Sequence, residues 1–127
     1  MSSPDGLYFD PRGVLWIQTD AGAYTSNTNC LLLAALPCKV NDGKEVTTSA
    51  GIKTRVGMQA NEQNIKRFFV GPKGCEVTGI TLTPDFKTLF INIQHPGEDQ
   101  PGVTWGAIAG GTTPRSATVM ITKKDLS

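Results

Sequence analysis

The sequence predicts an all-β chain: antiparallel four-stranded blades of a β-propeller, about two of them, in an incomplete ring. Three observations predict it. One segment occurs twice: Gly6-Leu7-Tyr8-Phe9-Asp10-Pro11-Arg12-Gly13-Val14-Leu15-Trp16-Ile17-Gln18 and Gly79-Ile80-Thr81-Leu82-Thr83-Pro84-Asp85-Phe86-Lys87-Thr88-Leu89-Phe90-Ile91-Asn92 share one plan of short strand, Pro-containing turn and longer apolar strand. Repetition of one hairpin marks sheets packed side by side. Elsewhere apolar residues fall in short runs rich in β-branched and aromatic types, bounded by Gly, Pro, Asp and Asn, with almost no helical periodicity. Finally, 127 residues suffice to bury a core but are too few to close a ring.

In chain order, strands are expected near residues 7–10, 14–19, 29–36, 65–70, 77–83, 88–94 and 117–122. The turn Asp10-Pro11-Arg12-Gly13 joins the first two: Pro presets φ and Gly tolerates a positive φ at the end. Thr83-Pro84-Asp85-Phe86 reuses the device. The first four strands complete a blade over residues 1–72, which includes the polar loop 39–64. The last three make an incomplete second blade over residues 73–127. Lys39 to Asn64 carries Asn41-Asp42-Gly43, Thr47-Thr48-Ser49 and Gly51, too long for a blade turn and too polar for core. It reads as a mobile excursion, with room for a short helix around Gln59 to Asn64. A second loop, rich in Gly and Thr, runs from Pro96 to Pro114.

Composition excludes several classes. Hydrophobic residues make up 39% and charged residues 18%, so the chain is neither a disordered tail nor a membrane-spanning protein. No window approaches the roughly 20 apolar residues of a spanning helix. Net charge is +1 with Lys and Arg scattered, which gives no footprint for nucleic acid. Met1-Ser2-Ser3-Pro4 lacks the basic and apolar regions of a secretory signal. Cys30, Cys38 and Cys75 show no CxxC spacing and do not suggest a disulfide scaffold.

Most catalytic signatures are absent: no G-x-S-x-G elbow, no H-E-x-x-H, no phosphate loop and no G-x-G-x-x-G after a strand. Gly71-Pro72-Lys73-Gly74 reads as a turn. His95, the lone histidine, sits just past a strand end and reads as a hydrogen-bonded strand terminator before it reads as a base or ligand. Asp10, Asp20 and Asp85 read as turn or strand-end aspartates, and Cys75 as a small buried hydrophobe. Trp16, Phe68, Phe69 and Phe90 are expected in the core. Arg115 opens the last strand, either as an ion-pair partner or as an anion binder.

Two carboxylates stand out by placement. Asp5 immediately precedes the first inner strand, and Glu76 begins the equivalent strand of the second blade. In a propeller the loops entering the innermost strands rim the channel, so both carboxylates would face one axial site. Converging carboxylates repel unless a cation neutralises them, and hard, oxygen-binding metals such as Ca²⁺ or Fe³⁺ meet that need. The simpler alternative is that Asp5 caps a turn and Glu76 is solvated.

Four stretches carry a resemblance. Pro4-Asp5-Gly6-Leu7-Tyr8-Phe9-Asp10-Pro11-Arg12-Gly13-Val14-Leu15-Trp16-Ile17-Gln18-Thr19-Asp20, Arg67-Phe68-Phe69-Val70-Gly71-Pro72-Lys73-Gly74-Cys75-Glu76-Val77-Thr78-Gly79-Ile80-Thr81, Phe90-Ile91-Asn92-Ile93-Gln94-His95-Pro96-Gly97-Glu98 and Pro114-Arg115-Ser116-Ala117-Thr118-Val119 resemble, in order, the C-terminal portion of the PhoX-type phosphatases. The resemblance implies a six-bladed propeller and an exported enzyme, periplasmic or extracellular. It also implies a channel site of Ca²⁺ and Fe³⁺ that hydrolyses phosphate monoesters. Asp5 of Pro-Asp-Gly and Glu76 of Cys-Glu-Val-Thr-Gly look like that family's metal-binding carboxylates. Only the last two blades have counterparts here, and the family's cysteine ligand has none. Lys39 to Asn64 is longer than the family's turn, and the segment after Asp20 is shorter.

The reading that follows is a C-terminal fragment of a PhoX-like phosphatase, acting on a phosphate ester in the full-length protein and inactive alone. The alternative is a non-enzymatic propeller-type binding module; a lactonase-like propeller is a weaker third. Unpaired blade faces and a bare sheet edge lead us to expect self-association as a homo-oligomer, or coverage by the remainder of a propeller.

Overall fold

The computed structural model describes residues 3–20, 27–37, 42–57 and 60–124. Among these residues nine strands follow one another: β1 (Pro4–Phe9), β2 (Leu15–Thr19), β3 (Leu31–Ala35), β4 (Asp42–Thr47), β5 (Lys53–Gly57), β6 (Ile65–Val70), β7 (Glu76–Leu82), β8 (Thr88–Gln94) and β9 (Ala117–Thr122). They form an antiparallel four-stranded sheet β1-β2-β3-β6, a hairpin β4-β5 and an antiparallel three-stranded sheet β7-β8-β9. No α-helix occurs among the described residues. The chain is all-β, as the repeat predicts.

The repeated turn closes both inner hairpins. Gly13 takes a φ of +83° at the end of the first, and Phe86 takes +56° at the same place in the second. Gly bears that conformation without cost, whereas Phe does not. Phe86 has a compensating contact: the Arg12 guanidinium lies 4.5 Å from its ring centroid, a cation–π contact between the two turns.

Side chains alternate across the first sheet, and both of its faces are apolar. Trp16 and Leu32 face the second sheet, where they meet Val77, Leu89, Ile91 and Ile93, with Cys30 and Cys75 at one end. Ile17, Leu31, Leu33 and Ala35 form a separate cluster on the opposite face. A sheet buried on both sides is what a blade between neighbours requires. Of the aromatics expected in the core, Phe90 is only half-buried, on the face of β8 opposite Leu89 and Ile91, and Phe68 departs further. Leu32 pairs with Phe69 and Leu33 with Arg67, so Phe68 is the extra residue of a β-bulge. It is 47% exposed and meets Trp16 edge-on, with centroids 4.9 Å apart.

The excursion between β3 and β6, expected to be mobile, contains strands within its described residues. Residues 42–57 make a hairpin, β4-β5. Val46, Thr47, Thr54 and Val56 supply β propensity around a turn closed by Thr48 N–H to Ile52 O at 2.9 Å and Gly51 N–H to Thr48 O at 2.9 Å. Among the described residues the hairpin pairs with no other strand, and β5 is exposed along its whole length, so polar residues dominate it. The short helix is also absent: residues 62–64 are a turn, with Asn64 N–H donating to Asn61 O, while Gln59 lies outside the described residues. Lys53 and Glu45 approach to 3.4 Å across the hairpin, both well exposed. Lys53→Ala should therefore shift stability by less than about 0.5 kcal/mol in urea denaturation.

Candidate metal centre

Antiparallel pairing carries the two inner hairpins' open ends to one place. In the first, Pro4 pairs with Thr19, which sets Asp5 on the entering strand near Asp20 just past the leaving one. Ser3 O accepts the Asp20 N–H at 3.1 Å and fixes that end. In the second, Glu76 pairs with Gln94, which sets Glu76 near His95. Packing of β7 against β1 and β2 then brings the ends together.

One ligand atom from each of Asp20, Glu76 and His95 lies within 4.8 Å of the other two. Glu76 is the centre of the group, its side chain only 12% exposed. Burial pushes its carboxyl above the usual range, and the charges of Asp20 and Asp5 push it further. A protonated Glu76 donates a hydrogen bond to Asp5, which also favours the neutral form, while His95 acts in the opposite direction. Negative charge thus accumulates around a carboxyl that water reaches poorly. Oxygen donors of this kind suit a hard cation.

Two loops build the floor. Gly71 N–H donates to Cys30 O at 2.8 Å, and Asn29 Nδ2 donates to Gly71 O at 3.0 Å, tying the approach to β7 onto the first sheet. The loop after β8 locks onto the same turn, with Gly97 N–H to Lys73 O at 2.9 Å and Glu98 N–H to Gly74 O at 3.1 Å. Gly74 is required there: it has a φ of +67°, and a Cβ would lie 2.8 Å from Glu98 O.

Asp5 and Glu76, singled out by the sequence, come together. Asp20 and His95 join them, although each reads as a strand-end residue in isolation. The signal was in the hairpin register: counting back from each Pro turn sets residue 20 beside the start of β1 and residue 95 beside the start of β7. Other residues lie elsewhere. Asp10 and Asp85 hold their turns: Asp85 accepts from Thr83 Oγ1 at 2.6 Å and from Lys87 N–H at 3.1 Å. Cys75 is buried, and burial, with the neighbouring Cys30, pushes its thiol up to about 12, so it stays a protonated hydrophobe. Cys30 and Cys75 are free thiols, and Cys38 lies outside the described residues. Arg115 is exposed, and its backbone N–H donates to Trp105 O at 3.1 Å.

Comparison with known proteins gives the family. The family model described as alkaline phosphatase PhoX matches residues 1–97. A solved structure, Pseudomonas fluorescens PhoX in complex with vanadate, a transition state analogue, is 40% identical with a TM-score of 0.66. The match covers 94% of this chain and 17% of that one. No curated protein sequence matches the chain. The chain belongs to the PhoX alkaline phosphatase family, and it spans 17% of the length of that solved relative.

Proposed function

We propose that this chain is a C-terminal piece of a PhoX-like phosphatase, where it supplies one side of the metal centre that hydrolyses phosphate monoesters. The observation that carries the reading is the convergence of Asp20, Glu76 and His95 on one poorly solvated spot, with Asp5 close enough to raise the Glu76 carboxyl further. Asp5 and Glu76 hold the cation, and Asp20 joins them. Ca²⁺ and Fe³⁺ are the ions the family resemblance implies, and an all-carboxylate oxygen set suits both. When bound, such ions polarise phosphoryl oxygens and neutralise the charge that develops on them. Asp5, exposed at the start of β1, offers its oxygens on the open side of the site. Glu76 is held from beneath by the turn at residues 71–75 and stays largely shielded from water. The family resemblance also supports an exported location.

The chain alone is expected to give no appreciable turnover, since two blades supply only part of a ligand set. Hydrolysis of p-nitrophenyl phosphate with added Ca²⁺ and Fe³⁺ tests this. Clear turnover that Glu76→Gln abolishes would show that the chain suffices as a catalyst and would overturn the incompleteness.

A second reading, a non-enzymatic binding module, is favoured by the hairpin β4-β5 and by a groove of about 400 Å³ between the sheets, lined by Val14, Trp16, Phe68, Leu82, Phe86 and Ile121. Elemental analysis discriminates. Stoichiometric Ca or Fe favours the metal centre, whereas metal-free protein whose partner binding needs the hairpin favours the module.

Assembly follows from what stays uncovered. Leu7, Phe9 and Met120 are each more than 60% exposed on strands β1 and β9. Exposed apolar surface costs about 25 cal/mol per Å², and an edge strand offers unpaired backbone groups. Residues 1–72 and 73–127, taken as two blades, then need a neighbour: the rest of a propeller, or a second copy. Sedimentation of the isolated chain at micromolar concentration is expected to show a dimer or larger species. A strictly monomeric species would mean that the chain covers its own faces.

A further inference from the structure

We infer that His95 is a positioning residue, which fixes the Glu76 carboxylate in the orientation that holds a cation. The inference rests on the metal-centre reading above. His95 stands in a conformation that a non-glycine residue seldom adopts, with φ at +35°. Strain of this kind persists only where surrounding structure over-determines it, and it collects at functional sites. Here the surroundings are explicit. The His95 N–H donates to Ser116 Oγ at 3.1 Å, which ties the residue to the start of β9. Two and three residues on, the N–H groups of Gly97 and Glu98 donate to Lys73 O and Gly74 O, in the turn that leads directly into Glu76. The backbone carrying His95 is thus clamped to the backbone carrying Glu76.

The ring then lies between two carboxylates. Nε2 stands 3.6 Å from Glu76 Oε2, and Nδ1 stands 3.2 Å from Glu98 Oε2. Nδ1 is sealed from solvent and, although close to Glu98, makes no hydrogen bond among the described residues. Seated between these two carboxylates on a clamped backbone, the ring turns its Nε2 toward one oxygen of Glu76. Outer groups of this type orient the residues that hold a metal, and their loss typically costs about 10–100-fold in metal affinity. Glu98 is the more exposed carboxylate, so its share should be the smaller.

Terbium luminescence, with Tb³⁺ standing in for Ca²⁺, measures the affinity of the full chain and of four variants. His95→Ala is expected to weaken binding by about 10–100-fold. His95→Gln, whose amide nitrogen reaches near the Nε2 position, should recover most of that loss. His95→Asn, whose nitrogen falls short, should not, although circular dichroism finds both variants equally folded. A merely structural role would not separate Gln from Asn. Should His95→Ala unfold, the Gln and Asn pair still decides. Equal affinity in Gln, Asn and wild-type proteins, alongside loss in Glu76→Gln, overturns the positioning role and leaves the metal centre standing. Unchanged affinity in Glu76→Gln, or no Tb³⁺ binding by the wild-type chain, overturns the metal centre and this inference with it.

Discussion

Glu76→Gln should raise the melting temperature of the cation-free chain at neutral pH and abolish its cation binding. The Glu76 pKa is raised in the folded chain, by burial first and then by Asp20 and Asp5. A folded chain that keeps this proton binds more protons than the unfolded one, so stability falls as pH rises. The group's favourable state is fully present below the ordinary glutamate pKa of about 4.3 and is lost as pH climbs through the folded value. At pH 7 the wild-type chain therefore carries a carboxyl group whose ionisation burial and its acidic neighbours oppose, a cost that Gln, neutral and of the same shape, does not bear. With a chelator present, the variant should melt higher at pH 7, and the difference should close near pH 4. Adding Ca²⁺ reverses the order, because a ligand that binds only the folded state stabilises it by mass action. A variant that melts lower than wild type at pH 7 in chelator would show that the Glu76 charge is already compensated.

Asp10→Ala should cost the fold about 3 kcal/mol, judged from the roughly 1–3 kcal/mol lost for each buried donor left unsatisfied. The Asp10 side chain is fully buried and closes the first Pro turn. It accepts from Arg12 N–H at 2.9 Å, Val14 N–H at 3.2 Å and Trp16 Nε1 at 3.0 Å, and pairs with Arg12 Nη2 at 2.6 Å. Arg12 is half exposed, so the ion pair itself adds little; the stranded turn amides and the indole N–H dominate. Burial alone would raise the Asp10 pKa, but the Arg12, Trp16 and Val14 hydrogen bonds outweigh it and hold the carboxyl below its ordinary value. The sign is therefore opposite to that of Glu76. Asp10's contribution is present above the ordinary aspartate pKa and is lost as pH falls through the folded one. Urea denaturation at pH 7 checks the magnitude, and a loss under about 1 kcal/mol would mean that water replaces the carboxylate at these donors.

These residues also mark how far the sequence could be read. The seven strands of the two sheets were legible because each has an apolar face bounded by Gly, Pro or Asp. The hairpin β4-β5 was not, because it is wet on both faces and so lacks the alternation that identifies a half-buried strand. Phe68 was misplaced because a bulge breaks the alternation at one residue, which only the pairing with β3 specifies. Asp5 and Glu76 were found by their places at strand starts. Asp20 and His95 were not, since each is a plain strand end until strand pairing and the packing of β7 on β2 bring them to Glu76.

Anomalous diffraction from crystals of the full chain soaked in Tb³⁺ tests the central claim most directly. The metal-centre account predicts a peak in contact with carboxylate oxygens of Asp5, Asp20 and Glu76, lost in Glu76→Gln. A peak elsewhere with none at Glu76, or one that persists in Glu76→Gln, would contradict it.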